Sequence, residues 1–183
     1  MLSQSPAIFI LNFREALIED AASIAALVNA AYRGESSKQG WTTEANILNG
    51  HRTNASEIQQ LIEAENSKII VCIQDSNLIG SIHLHKIDCS VHFGMFAVKP
   101  SLQNLNVGKQ LLAEAEFFAK KSWQAHKFVM LVITVRDELI AFYERRGYKR
   151  TGMLQKFPIN PELWMPKVEG LKLERLEKLV NQV

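Results

Sequence analysis

The residues best placed for chemistry lie at a strand-to-helix junction that runs from Gln103 to Lys109. The preceding run 93–100 is typical of a strand that ends at a proline, which has no N–H to donate to a ladder. The helix after the turn carries one apolar stripe, formed by Val107, Leu111, Leu112, Ala115 and Phe118. The first amides of a helix lack intrahelical acceptors and lie at its positive dipole end. The junction therefore predicts an anion site that suits a pyrophosphate.

Titratable side chains elsewhere offer candidates for acid–base chemistry. Tyr143 follows Leu139 and Phe142 at helical spacing, which is typical of a core aromatic. His92 lies in the predicted strand 91–98, and an imidazole titrates near neutral pH. Glu44 is a second candidate base if the segment 41–44 folds over a groove. The general base stays open between these two residues.

Three strand histidines raise the question of a metal site. His83 and His85 share one face of the predicted strand 78–86, and His92 lies on the next strand. Two such histidines and a third can bind zinc, but no carboxylate or cysteine has a helpful spacing. We therefore expect no metal.

Length and composition limit the class of protein. The 183 residues, 47% of them hydrophobic and 22% charged, suit one folded domain that spans residues 1–183. A net charge of +2 with scattered Lys and Arg argues against a nucleic-acid partner. No apolar run reaches membrane-spanning length or resembles a secretory signal, so we expect no membrane association. Cys72 and Cys89 both fall in predicted strands, and two buried thiols favour a reducing, cytoplasmic location.

The elements that must position these residues follow from hydrophobic periodicity. Strands are predicted over 8–17, 69–73, 78–86, 91–98, 128–135 and 148–152, and helices after Asp20, Asn54, Asn106 and Asp137. The eight residues 128–135 are nearly all apolar or β-branched, which indicates a strand buried on both faces. Residues 157–166 contain three prolines and predict an extended loop. The segment 171–180 suits a helix by composition and a final strand by alternation.

The order of the predicted strands and helices resembles that of the GNAT superfamily of acetyl-CoA-dependent N-acetyltransferases, and two local sequence patterns carry the resemblance. Residues 96–112, FAVKPSLQNLNVGKQLL, resemble the family's V-x-P-x-x-Q-x-x-G-x-G cofactor signature. Residues 139–148, LIAFYERRGY, resemble the segment that precedes the family's sixth strand. Residues 41–44 and 50–53 are also similar to a subgroup of uncharacterised bacterial members. The resemblance implies an α/β (α+β) fold with a mixed, mostly antiparallel sheet of six or seven strands, flanked by helices and splayed between the fourth and fifth strands.

The resemblance also implies a reaction and a set of site residues. An acetyl group would pass directly from acetyl-CoA to a primary amine in a ternary complex, with Tyr143 protonating the departing thiolate and His92 as the proposed base. A backbone N–H of the fourth strand would stabilise the oxyanion. The chain departs from the family at Asn106, where glycine is usual, and at Arg136, where many members have a pantetheine-binding asparagine. The implied cofactor-binding residues are Phe96, Ala97, Val98, Gln103, Asn104, Leu105, Asn106, Val107, Gly108, Lys109 and Arg136.

The acceptor is less well defined. Trp41, Glu44 and Arg52 are expected to line its pocket, as is Trp164, although anchoring of loops explains the tryptophans and Arg52 equally well. The amine can be a small molecule or a peptide, and the last segment can contribute to a homodimer. One alternative is a CoA-binding module without catalysis. Another is a nucleotide-binding regulatory domain, which would need a glycine-rich turn after the first strand, and the chain has none there.

Overall fold

The computed structural model describes residues 10–180. Strand β3 (Ser67–Gln74) shows why the fold has helices on both sides of a sheet. Ile70 and Cys72 pack into one hydrophobic cluster, whereas Ile69 and Val71 pack into another. Successive side chains of a strand lie on opposite faces, so a strand that is apolar at every position needs helices on both sides. This segment therefore belongs to the middle layer of a three-layer fold.

β3 belongs to a sheet with β1 (Asn12–Glu15), β4 (Asn77–Ile87), β5 (Ser90–Val98), β6 (Lys127–Ile133), β7 (Lys149–Lys156) and β9 (Lys172–Leu179). The seven strands have the order β1-β3-β4-β5-β6-β9-β7. All neighbours are antiparallel except β5 and β6. The predicted mixed and mostly antiparallel sheet is thus confirmed. Residues 8 and 9, which begin the first predicted strand, lie outside the described residues.

The sheet opens between its two parallel strands. The β5–β6 ladder pairs Ser90 with Lys127 but ends at Phe93 and Met130. Beyond that point β5 stays bonded to β4 alone, with a register shift opposite Met95, whose φ is 43°. A bulge bends a strand and disrupts the ladder locally. The edge of residues 94–98 therefore faces a gap in the sheet.

Helices cover the two faces of the sheet. α1 (Ala21–Tyr32) and α3 (Ala55–Glu63) pack with β3 on one side, and α4 (Val107–Trp123) and α5 (Asp137–Glu144) pack on the other. A one-turn helix, α2 (Gly34–Ser37), follows α1. α4 buries Val107, Leu111, Leu112, Ala115 and Ala119, the stripe expected of an amphipathic helix.

The segment 157–166 differs from its sequence-based expectation. The prediction of an extended loop over 157–166 is wrong at its end, because Trp164–Pro166 (β8) pairs antiparallel with Leu48–Gly50 (β2) in a separate two-stranded sheet. The proline is tolerated because it lies at the last position of a three-residue edge strand. Gly50 has a φ of 84°, and a Cβ there would lie 2.0 Å from the Leu163 carbonyl oxygen, so the approach requires glycine.

The cysteines also differ from expectation. Cys72 is fully buried in β3, but Cys89 is exposed in the turn between β4 and β5. The prediction that both thiols lie buried in strands is therefore wrong for Cys89, because the hairpin turn takes up residues 88 and 89. The ambiguous last segment is the strand β9, which inserts between β6 and β7.

Candidate active site

A cavity of about 570 Å³ lies between the start of α4, the end of β5 and one side of α5. We call it the helix cavity. Seven of the predicted cofactor-binding residues line it: Phe96, Val98, Gln103, Asn104, Asn106, Gly108 and Lys109. Ala97 and Val107 are instead buried in the core, and Leu105 is exposed on the turn.

The turn before α4 adopts the backbone that the family's usual glycine would favour. Asn104 and Asn106 have φ values of 67° and 68°. Asparagine is among the side chains that tolerate the left-handed region best, so the turn forms without glycine at position 106. The amide of Gln110 makes the helix's first backbone bond, to the Asn106 carbonyl at 3.2 Å. The amides of residues 107–109 precede that bond and lie at the positive end of the helix dipole.

Gln103 joins this turn to a distant loop. Its Oε1 accepts from the Trp41 amide at 2.9 Å and from the Thr42 amide at 3.4 Å. Its Nε2 donates to Thr42 Oγ1 at 2.8 Å and to the Val98 carbonyl at 3.1 Å. Trp41 then stacks near Phe142 on α5, with ring centroids 5.6 Å apart. The Gln103 side chain therefore holds Trp41 and Thr42 over the helix cavity.

Two arginines that the sequence analysis did not single out add positive charge to the helix cavity. Arg145 and Arg146 line it together with Lys109, against one acidic residue, Glu138. Arg146 lies over the Phe142 ring, 3.3 Å from its centroid, and burial lowers its pKa. Its Nε is buried with no hydrogen-bond partner among the described residues. Both arginines fill variable positions of the pattern 139–148, so the motif gave no signal for them.

A second cavity, of about 350 Å³, occupies the gap between β5 and β6. We call it the sheet cavity. Phe96 and Leu139 line both cavities, so the two spaces adjoin. Tyr143 lines the sheet cavity, and its ring packs against Phe96, with centroids 6.4 Å apart. Burial raises the pKa of Tyr143 above its ordinary value, so its phenol remains protonated at neutral pH.

Tyr32 closes part of the same space. Its hydroxyl donates to the Phe96 carbonyl at 2.5 Å, which holds α1 against the bulged part of β5. Burial raises the pKa of Tyr32 to about 12, and the nearby Glu44 carboxylate adds to the shift. This phenol is therefore a neutral hydrogen-bond donor in the physiological range.

Glu44 lies between two arginines at the wall of the sheet cavity. One carboxylate oxygen pairs with Arg33, and the other lies 3.1 Å from Arg136 Nη1. The three side chains are at most 10% exposed. Arg136 thus lines the sheet cavity and not the helix cavity. Arg33 was not singled out from the sequence, because nothing in its local pattern distinguishes it from any arginine after a helix.

The remaining predicted acceptor residues separate between the two cavities. Arg52 lines the sheet cavity, with its guanidinium 5.7 Å from the centre of the Trp164 ring. Trp164 lines the same cavity, and its indole donates to the Pro158 carbonyl at 3.2 Å. Trp41 lines the helix cavity instead. The residues expected around one pocket therefore lie around two.

Three histidines, His83, His85 and His92, lie along β4 and β5. His92 is half-buried and lines the sheet cavity, where burial and then the nearby Arg175 lower its pKa. The neutral imidazole, which can accept a proton, is therefore its main form at pH 7. His83 approaches Ser67 Oγ at 2.9 Å, and burial lowers its pKa to about 4. Within residues 10–180 no cluster of three or more His, Cys, Asp or Glu side chains is arranged to hold a metal ion.

The family comparison decides which kind of protein contains this pair of cavities. Residues 34–158 match the acetyltransferase (GNAT) domain family. The chain belongs to the GNAT acetyltransferase family. It is therefore an N-acetyltransferase, and the reaction of this family moves an acyl group from acetyl-CoA to an amine. No curated protein matches the chain.

Solved structures share this GNAT fold at low sequence identity. A GNAT-family acetyltransferase from Streptococcus pneumoniae is 16% identical, with 94% of this chain and 100% of that one covered at a TM-score of 0.66. The ribosomal-protein-S18-alanine N-acetyltransferase from Escherichia coli is 10% identical, with 95% and 96% covered at a TM-score of 0.71. A spermidine/spermine N-acetyltransferase from Vibrio cholerae is 18% identical, with 93% and 95% covered at a TM-score of 0.65. At these identities the likeness concerns the fold alone.

The lining of the helix cavity in this GNAT protein suits a polyanion such as the phosphate end of acetyl-CoA. The first amides of α4, Lys109 and the two arginines could hold it, and the unpartnered Nε of Arg146 is a buried donor that an added acceptor would satisfy. Beyond Phe93 the β5 edge that faces β6 pairs with no strand among the described residues, so backbone groups along it suit the amide groups of a pantetheine arm. None of the helices within residues 10–180 is long and apolar enough to cross a membrane.

Proposed function

We propose that the protein transfers the acetyl group of acetyl-CoA to a primary amine by direct attack while both substrates are bound, with residues 1–183 forming one catalytic domain. The observation that carries this proposal is that the helix cavity and the sheet cavity adjoin at Phe96 and Leu139. A thioester reaching along the β5 edge would meet an amine that enters through the sheet cavity. Such alignment of two reactants removes much of the entropic barrier to a bimolecular step.

The proposed ligand contacts divide between the two ends of acetyl-CoA. The amides of residues 107–109, Lys109 and Arg146 would hold the phosphates. A backbone N–H on the open β5 edge would donate to the thioester carbonyl and stabilise the oxyanion that forms there. Asn106 supports the turn through its left-handed backbone. Gln103 supports one wall of the helix cavity, because its side chain binds the backbone at Trp41.

Proton transfer assigns roles to two side chains of the sheet cavity. The attacking amine forms the new C–N bond, and the C–S bond breaks. Tyr143 would donate its phenolic proton to the departing sulfur; burial keeps this phenol protonated at neutral pH, while the same raised pKa makes it a weaker acid than a free tyrosine. His92, neutral at pH 7, would accept the proton that the amine loses. Glu44 is the weaker candidate for base, because two arginines already engage its carboxylate.

The alternative is a protein that binds CoA without catalysis. Replacing Tyr143 with Phe separates the two functions, because the proposed acid would be lost while the helix cavity stays unchanged. We expect kcat to fall about 100-fold or more, in the range typical of general acid–base catalysis. Free CoA release with an amine panel measures the rate. Tyr148→Phe is the matched control, since Tyr148 packs against Tyr143 but binds Glu116 at 2.8 Å outside both cavities.

Binding is measured separately by thermal unfolding with acetyl-CoA. Ligand at 100 times its Kd should add about 2.7 kcal/mol of stability to wild type and to the Tyr143→Phe variant alike. A shift without turnover of any amine would favour the binding module. An unaltered rate in Tyr143→Phe would remove the proposed catalytic role of this tyrosine. The expected homodimer stays a prediction.

A further inference from the structure

The charge of the sheet cavity points to the chemical class of the acceptor. Its charged lining consists of Arg33, Arg52 and Arg136 against Glu44, a formal excess of two positive charges, and His92 is neutral there. Like charges in a partly desolvated space repel by several times more than in water, since the effective dielectric is lower. A polycationic amine therefore fits this lining poorly, whereas an amine with a negative group fits it well.

Two of these arginines hold donors that the protein itself does not satisfy. Arg136 Nη2 and Arg33 Nε are buried, and neither has a hydrogen-bond partner among the described residues. The side chains are 10% and 4% exposed, so bulk water cannot solvate them freely. Buried polar groups are nearly always paired, because leaving one unpaired is costly. Two unpaired guanidinium nitrogens at one cavity indicate that a ligand supplies the missing acceptors.

Glu44 holds these arginines in place without neutralising both. Each of its carboxylate oxygens binds one guanidinium, so Arg33 and Arg136 share a single counter-charge. A second carboxylate beside Arg136 would complete the balance, and the planar guanidinium favours paired hydrogen bonds to such a group. Arg136 and Tyr143 line the same cavity, so an acceptor whose carboxylate is held by Arg136 would place its amine near the proposed acid.

We propose that the acceptor is a small primary amine that also carries a carboxylate, as an amino acid does, and that Arg136 binds this carboxylate with Arg33 behind it. The inference rests on the proposed acetyl transfer. A volume of about 350 Å³ lies at the small end of ligand cavities, which suits such a molecule.

The test uses matched acceptors that differ in one group. α-Amino acids, their carboxamides and the corresponding decarboxylated amines are compared by CoA release, with spermidine as a polycation. We expect kcat/KM to be about 10- to 100-fold higher for the carboxylates, the range that charged hydrogen bonds support. Equal or faster reaction of the amides, the decarboxylated amines or spermidine would overturn the inference while leaving acetyl transfer intact.

Variants assign the preference to its residue. Arg136→Gln should raise KM for the carboxylates and remove their advantage over the amides, with KM for acetyl-CoA unchanged. Arg136→Lys keeps the positive charge beside Glu44 but loses the planar fork, so it should retain fold and recover only part of the preference. Arg14→Gln is the matched control, because it removes one arginine outside both cavities. A preference that survives in Arg136→Gln would overturn the assignment.

Binding without turnover keeps the inference testable if catalysis fails. Thermal shifts with the acids and with their amides are measured on wild type and on Arg136→Gln. A larger shift for the acids that disappears in the variant supports the carboxylate site even if no amine reacts, and in that case the proposed acetyl transfer alone fails. Equal shifts for acids and amides overturn the carboxylate site.

Discussion

Replacing Gln103 with alanine should release the loop that covers the helix cavity. The Gln103 side chain makes three hydrogen bonds of ordinary length, at 2.9 Å to the Trp41 amide, 2.8 Å to Thr42 Oγ1 and 3.1 Å to the Val98 carbonyl. A net contribution of about 1 kcal/mol for each bond predicts a loss of about 3 kcal/mol in the free energy of unfolding. For a chain of this size that corresponds to a fall in Tm of about 6–12 °C.

Thermal and urea unfolding measure this loss of stability. The KM for acetyl-CoA shows whether release of the loop also weakens use of the cofactor. We expect KM to rise, because Trp41 loses the bond that holds it over the cavity. Gln110→Ala is the matched control, since Gln110 is exposed on α4, just after the turn that contains Gln103, and surface substitutions of this kind usually change stability by less than about 0.5 kcal/mol. If Gln103→Ala and Gln110→Ala were equally stable, the proposal that Gln103 holds the loop of Trp41 and Thr42 in place would be refuted.

Gly40 provides a second probe of the same contact. A Cβ at Gly40 would lie 2.4 Å from Gln103 Oε1, so Gly40→Ala must displace the amide from its bonds. In the Gln103→Ala background that obstacle is absent, and Gly40→Ala should then cost much less. Additive effects of the two substitutions in a double-mutant cycle would show that the amide does not occupy this place.

Two further substitutions test the turn before α4 and an ion pair between β7 and β9. Asn106→Ala should lower stability by about 1 kcal/mol, because its φ of 68° strains an ordinary side chain, whereas Asn106→Gly should keep wild-type stability. Equal Tm values for the two variants would contradict the left-handed turn. The hydrogen bond from Arg150 lowers the pKa of Glu174 below its ordinary 4.5. The stabilisation that this pair gives to the folded protein is therefore present above pH 4.5 and is lost as pH falls through the lowered pKa. Arg150→Gln should therefore be less stable than wild type at pH 7, and the difference should shrink towards pH 2. A difference that does not change with pH would exclude this pair as its source.

Continuous apolar runs predicted the central strands of the sheet well. The runs that became β3 and β6 are short and rich in β-branched residues, which favours buried strands over helices. β9 was ambiguous because Leu, Glu, Lys and Arg favour helices, and only its pairing with both β6 and β7 makes it a strand. β2 and β8 are three residues each, too short for a periodic signal, and their pairing joins segments far apart in the chain.

The motifs predicted the helix cavity better than the sheet cavity. The backbone would supply much of the proposed phosphate site, and a turn and a helix start in the sequence position that backbone. Acceptor residues depend on contacts between distant segments. Arg136 lies 92 residues from Glu44, and Gln103 lies 62 residues from Trp41, so no local pattern could reveal either contact.

The short segment from Trp41 to Glu44 connects the two cavities. Trp41 and Thr42 border one cavity, and Glu44 borders the other with its two arginines. Only Thr43 separates Thr42 from Glu44, so a substrate that displaced Trp41 and Thr42 would also displace the carboxylate that holds Arg33 and Arg136. Occupancy of the helix cavity would in this way change affinity in the sheet cavity.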